Sequence, residues 1–220
     1  MASTDVQAPA AAQPSETQAP PQDPSETRFS CVYFGYASNL SPVTMKQRCP
    51  GALYVGLGVL KGWKWMINET GYANIIPGND EDEVYGSLCF LPRRDELALD
   101  ESEGVPWLYE KKTVKVTRLL SDEEEKEYGG QVPEVEAMTY VDVQRLTEGK
   151  IEREYIVWIK KAIEEGTKCG MPASYAEKYI KRFLPTDYDP NPNIMMVRTM
   201  QFGEQTAGLV PRGFASWQRG

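Results

Sequence analysis

The sequence predicts an α+β domain, a small and mostly antiparallel β-sheet or barrel with a few helices packed around it. Three observations carry that expectation. Runs of β-branched and aromatic residues broken by turn residues fill the stretch from about 30 to 143, the amphipathic helical pattern comes only after residue 150, and no internal repeat interrupts either part. Of the 220 residues, 41% are hydrophobic, with five Trp, twelve Tyr and six Phe, enough for one packed core with tails.

Residues 1–28 hold five Pro, six Ala and four Gln and no aromatic residue. Such a segment cannot bury enough apolar surface to offset its ordering entropy, so a disordered tail is expected there. Cys31-Val32-Tyr33-Phe34-Gly35-Tyr36 reads as the first core strand. Ser41-Pro42 reads as the N-cap and first position of a short helix through Gln47, closed by Pro50-Gly51. From Tyr54 to Ile67 one or two twisted strands bend at Gly62, and Tyr72–Ile76 and Val84–Leu91 continue the β pattern. Asn79 to Glu83 is an acidic turn whose spacing fits no calcium loop. Pro92 opens a helix over Arg93–Glu103, which Gly104 ends. Strands over Leu108–Leu120 and Val135–Val143 follow, separated by the acidic run Asp122–Glu127, expected on a solvated turn. The helix over Ile151–Gly166 places Tyr155, Ile156, Ile159 and Ile163 on one face, and a second helix runs from Pro172 to Phe183. The expected organisation is therefore a tail over 1–28, a domain over 29–185 and a C-terminal arm over 186–220.

Charge and composition exclude several functions. Lys and Arg number 24 against 32 Asp and Glu, a net charge of −8, and the acidic balance (pI near 4.8) with no basic stripe argues against a nucleic-acid partner. Histidine is absent, which removes Ser-His-Asp and Cys-His nucleophile systems and His-bearing zinc sites. Proton transfer must then run on carboxylates, Tyr, Cys, Lys or backbone. No segment approaches the roughly 20 apolar residues of a membrane span, and no secretory or transit signal opens the chain, so a cytoplasmic address with no membrane partner is expected. Cys31, Cys49, Cys89 and Cys169 form no CxxC pair and read as separate reduced thiols. The sequon Asn68-Glu69-Thr70 is expected to stay unused in that setting.

Three places carry candidate chemistry. Tyr36-Ala37-Ser38-Asn39-Leu40 is a strand-to-helix turn that reads either as an ordinary connection or as an anion cradle made of successive N–H groups. Glu103 sits at the end of a helix, where the negative pole of the dipole is expected to push its pKa upward; it is either a general base or an exposed acid beside a Gly cap. Tyr155 is either core or pocket lining. Gly56-Leu57-Gly58 is followed by Trp-rich β sequence, not by a helix, and so fails the context of a dinucleotide loop.

Tyr33-Phe34-Gly35-Tyr36-Ala37-Ser38-Asn39-Leu40 resembles the Tyr-Gly-Ser-Asn-Leu signature of the gamma-glutamylcyclotransferases, which share an AIG2-like fold. Val84-Tyr85-Gly86-Ser87-Leu88 followed by Asp100–Tyr109 resembles their Glu-Gly-Val-Tyr segment, and Tyr155 with Gly170–Tyr175 is similar to their late helical hairpin. The resemblance spans roughly residues 30–185. It implies a lyase or acyltransferase-type cyclisation of a γ-glutamyl amino acid or peptide to 5-oxoproline and a free amine, as in glutathione metabolism, with no metal or cofactor. It implies Glu103 as catalytic acid/base and Tyr36, Ala37, Ser38, Asn39, Leu40 and Tyr155 as substrate-binding residues. The Ser-Asn-Leu ending separates the loop from that of the glutathione-specific branch. Ala37 stands where the family has Gly, and if that position requires φ above zero the methyl carries a cost of about 1 kcal/mol. Two alternatives stand beside the enzyme: a non-catalytic γ-glutamyl ligand-binding member, and a related cyclotransferase acting on γ-glutamyl amines or on an intermediate of sulfur-containing secondary metabolism. The partner expected is a small γ-glutamyl molecule, and a homodimer is left open.

Overall fold

The computed structural model describes residues 29–129 and 131–186. The tail expected over 1–28 and the arm expected over 186–220, save its first residue, lie outside the described residues.

Among the described residues seven strands form: β1 Phe29–Gly35, β2 Leu53–Lys61, β3 Trp63–Ile67, β4 Ala73–Pro77, β5 Glu83–Pro92, β6 Glu110–Leu119 and β7 Glu134–Val141. Five of them close a barrel in the order β1-β5-β2-β6-β7, and β3 and β4 pair as a separate hairpin. Every pairing is antiparallel except the closing one, where β1 meets β7 in parallel at Tyr33 and Met138. This is the α+β, mostly antiparallel small barrel that the sequence predicts.

The period of two along β1 sorts its side chains between two cores. Phe34 points into the main core with Leu57, Leu88 and Val116, whereas Tyr33 belongs to a second cluster with Met45, Leu99, Tyr109 and Tyr140. Gly35 ends the strand because the chain turns back on itself there: a Cβ would lie 2.8 Å from the Asn39 carbonyl oxygen. Gly56 and Gly58 lie within β2, so the rejected dinucleotide reading meets a strand and not a phosphate loop.

The helices surround this barrel. α1 (Pro42–Arg48) starts as expected, with the Ser41 hydroxyl accepting from the Thr44 N–H at 2.9 Å and Pro42 at its first position. α2 (Arg93–Ser102) lies against β1 and β5. Two expectations need correction. The acidic run is not a bare turn but α3 (Asp122–Glu127), a short helix nucleated by a full capping box between Ser121 and Glu124. The late segment is not one helix: after the amphipathic α4 (Arg153–Lys168), a brief α5 (Ala173–Tyr175) widens into a π-helical turn over Ala176–Ile180 and tightens into a 3-10 turn over Lys181–Phe183. That change of winding accompanies the burial of Tyr175, Tyr179 and Ile180 in the main core, and Phe183 packs on Trp65 at 5.8 Å. No helix among the described residues is long and apolar enough to cross a membrane.

Candidate active site

Glu103 owes its position to the way α2 ends. Gly104 adopts φ +67°, its N–H bonds to Glu101 O at 3.1 Å, and the Val105 N–H reaches back to Asp100 O at 3.0 Å. This pair of reversed bonds is a Schellman ending, which needs a residue tolerant of positive φ just past the cap. Glu103 is that cap, and α2 has no basic residue in its last turn to offset the dipole.

The missing cation comes from another element. Arg48, in the last turn of α1, places Nη2 3.0 Å from Glu103 Oε1 and 2.6 Å from Ser102 Oγ, while its Nη1 donates to Asn39 Oδ1 at 2.6 Å. Asn39 in turn donates its Nδ2 to the Tyr33 hydroxyl at 2.8 Å. Burial works against the charge of Arg48, but Glu103 and its other neighbours override that and hold the guanidinium above its ordinary pKa. The helix-end argument for Glu103 therefore omits a major neighbour, the Arg48 guanidinium. Glu103 Oε2 accepts no hydrogen bond among the described residues, and the side chain keeps 20% exposure.

Phenols surround this carboxylate. Tyr33, Tyr36, Tyr109, Tyr140 and Tyr155 are all raised above the ordinary phenol value, chiefly by burial, and the negative charge of Glu103 adds to the shift of each. Tyr155 is pushed up to about 12; burial dominates, while hydrogen bonds from the Ser38 hydroxyl and main chain pull the other way. At neutral pH all five are protonated, so none of them competes with Glu103 as a base.

The 36–40 turn is anchored through its oxygens. The Trp65 indole donates to Tyr36 O at 3.0 Å, the Leu40 N–H to Ala37 O at 2.9 Å, the Ser41 N–H to Ser38 O at 3.4 Å, and the Ser87 hydroxyl to Asn39 O at 2.7 Å. The N–H groups of Ala37 and Asn39 find no acceptor among the described residues. Oxygens satisfied within the protein and N–H groups without an acceptor are what an anion cradle requires. Ala37 has φ −122°, so the cost tied to a positive φ does not arise.

The sequence-predicted residues divide accordingly. Asn39 is joined to Glu103 through Arg48, and Tyr155, which feels the Glu103 charge, hydrogen-bonds Ser38. Tyr36 gives its hydroxyl to Tyr140 O at 2.7 Å and serves the framework. Leu40 spends its N–H on Ala37 and is 1% exposed, its side chain packed against α4 at Gly166, so it offers a ligand neither donor nor surface. Arg48 is the residue that sequence reasoning missed; its signal was that it is the single Arg between Phe29 and Pro92. The sequon is closed off as well: Asn68 is 1% exposed and its amide bonds Asp142 and Thr70.

Comparison with known proteins agrees with this architecture. The family model described as gamma-glutamyl cyclotransferase, AIG2-like, matches residues 33–159. A solved structure titled gamma-glutamyl cyclotransferase superposes with a TM-score of 0.59 at 23% identity, covering 77% of this chain and 98% of its own. An uncharacterized protein from Homo sapiens superposes with a TM-score of 0.59 at 24% identity, with the same coverage of 77% and 98%. At these identities the superpositions speak to the fold. No curated protein sequence matches at a significant level. With more than half of its length matched by the family model, the chain belongs to the gamma-glutamyl cyclotransferase, AIG2-like family.

Proposed function

We propose that this protein converts a γ-glutamyl amino acid or peptide into 5-oxoproline and a free amine by intramolecular aminolysis, with Glu103 carrying the proton. The observation that bears most weight is a carboxylate with one oxygen held by Arg48 and the other unclaimed among the described residues, set among phenols too weakly acidic to take its place.

The chemistry needs one such group. The α-ammonium of the substrate gives a proton to Glu103, and the freed amine attacks the γ-carbonyl carbon of the same molecule. The leaving nitrogen takes that proton from Glu103 as its bond to the carbon breaks, and the ring nitrogen gives up its second proton through the same carboxylate to the departing amine, which leaves as an ammonium, so the carboxylate is regenerated with no net proton consumed. Nucleophile and electrophile are already tethered, and the protein's work is to hold a five-membered-ring geometry. The N–H groups of the 36–40 turn suit the charge that develops on the carbonyl oxygen, and Ser38 with Tyr155 suits the glutamyl portion. Free thiols at all four cysteines suit a reducing, cytosolic setting.

The test is Glu103→Gln, which keeps the shape and removes the base. 5-Oxoproline release from a γ-glutamyl dipeptide is expected to fall by about 10²–10⁴-fold with an unchanged circular dichroism spectrum. Unchanged turnover removes Glu103 from the reaction. Running the wild type over γ-glutamyl amino acids, peptides and amines identifies the leaving group.

A further inference from the structure

We infer that Arg48 is a positioning residue for the Glu103 carboxylate and that the Asn39 side chain acts through Arg48, not on the substrate. This rests on the reaction proposed above.

Each polar atom of the Asn39 side chain is already committed inside the protein, Oδ1 to Arg48 at 2.6 Å and Nδ2 to Tyr33 at 2.8 Å, and the residue is 5% exposed. At that burial the amide has almost no surface to offer a ligand, and both of its polar atoms already have partners in the protein. What Asn39 does instead is fix the far side of a guanidinium whose near side grips Glu103 and Ser102. Ser102 is itself oriented, donating its hydroxyl to Leu99 O at 3.0 Å. The fork thus has three separate oxygen acceptors, two on the end of α2 and one on the substrate turn. It ties the proton carrier to the loop proposed to hold the glutamyl group. Only the planar guanidinium, with donors diverging from one rigid centre, can span these acceptors at once; an ammonium is a single point.

The arrangement also sets which carboxylate oxygen does the work. Arg48 engages Oε1, so Oε2 is the oxygen left to meet the substrate ammonium. Loss of the fork leaves the Glu103 side chain free to rotate about its own torsions, and a misplacement of about 1 Å at a reacting group costs on the order of 10²-fold in rate. The loss falls on kcat, because the turn proposed to bind the glutamyl portion keeps its other anchors, the Trp65, Leu40, Ser41 and Ser87 donors on its carbonyl oxygens.

Steady-state kinetics of 5-oxoproline release from γ-glutamylalanine, on folded variants verified by thermal melts, test this. Arg48→Ala is expected to lower kcat by about 100-fold with KM within threefold of wild type, and millimolar guanidinium chloride is expected to restore part of the loss. Arg48→Lys is expected to stay well below wild type. Asn39→Asp, which keeps an acceptor for Arg48, is expected to retain most of the rate, whereas Asn39→Ala loses it in kcat. The Asn39 pair decides the matter if Arg48→Ala does not fold. An Asn39→Ala variant that raises KM at constant kcat, or an Arg48→Ala variant with wild-type kcat, overturns the inference and leaves the proposed reaction standing. A wild type that releases no 5-oxoproline from any γ-glutamyl compound overturns both.

Discussion

Trp65 donates its indole N–H to the main-chain oxygen of Tyr36 across 3.0 Å, and both residues are buried. The β3–β4 hairpin lies outside the barrel, yet through this one bond it holds the residue from which the 36–40 turn departs. Trp65→Phe keeps an aromatic ring and leaves the Tyr36 carbonyl without its donor. A buried acceptor left unpaired costs about 1–3 kcal/mol. The expected result is a lower urea midpoint with an unchanged m-value, together with slower 5-oxoproline release.

Gly104→Ala tests the ending of α2. At φ +67° a side chain is strained, and the added methyl would stand 2.8 Å from Leu108 Cδ1. The backbone term alone is about 1–2 kcal/mol. Because relief of that strain has to shift the cap, the variant is expected to lose activity beyond its loss of stability, which paired thermal melts and kinetics resolve.

Acid stability follows from the other end of the same helix. Burial alone would raise the Glu96 pKa, but hydrogen bonds from Lys111, Ser30 and Arg93 override it and hold the carboxyl down at about 2, against an ordinary value of 4.5. With the folded value below the unfolded one, the stabilisation is present above about pH 4.5 and is lost as pH falls towards 2. Lys111 donates to Glu96 and also to Asp100 at 2.8 Å, so Lys111→Met removes a shared partner. Urea titrations from pH 7 to pH 3 are expected to show a loss of about 1.5–3 kcal/mol at neutral pH and a shallower acid slope in the variant.

The thiols differ in reactivity. Cys49 and Cys89 are buried, and burial above all pushes their pKa values up to about 12 and about 11. Cys31 is half-buried and likewise raised, first by burial and then by Glu96, whereas Cys169 is exposed. A thiolate is the reactive form. Treatment of the native protein with an aromatic disulfide reagent is therefore expected to label one thiol quickly, identified as Cys169 by peptide mapping, and the other three only on unfolding.

The parts of this molecule that sequence reasoning reached are those with a local cause. The β-branched and aromatic run from Cys31 forms a core strand, Ser41-Pro42 starts a helix by capping, and Gly104 ends one by tolerating positive φ. Arg48 and Glu103 meet across 55 residues of chain, and no periodicity or turn chemistry encodes that meeting. The same limit hid the second role of Asn39, whose amide is spoken for by partners before and after it in the chain. α3 was within reach, since Ser121 and Glu124 form a capping box, but a helix with no apolar face presents no stripe to detect.

Closing the barrel by a parallel join between β1 and β7 sets an order of events during synthesis. Until the residues of β7 have left the ribosome, the outer edges of β1 and β6 have no neighbours, and an open sheet of this kind is a template for pairing with other chains. Tyr36 cannot reach the oxygen of Tyr140 before then, so the 36–40 turn gains that anchor only late. Joins between distant parts of a polypeptide also slow folding. A nascent chain stalled within β6 therefore carries Arg48 and Glu103 and still lacks the wall that encloses them, which makes the last strand the step on which escape from aggregation depends.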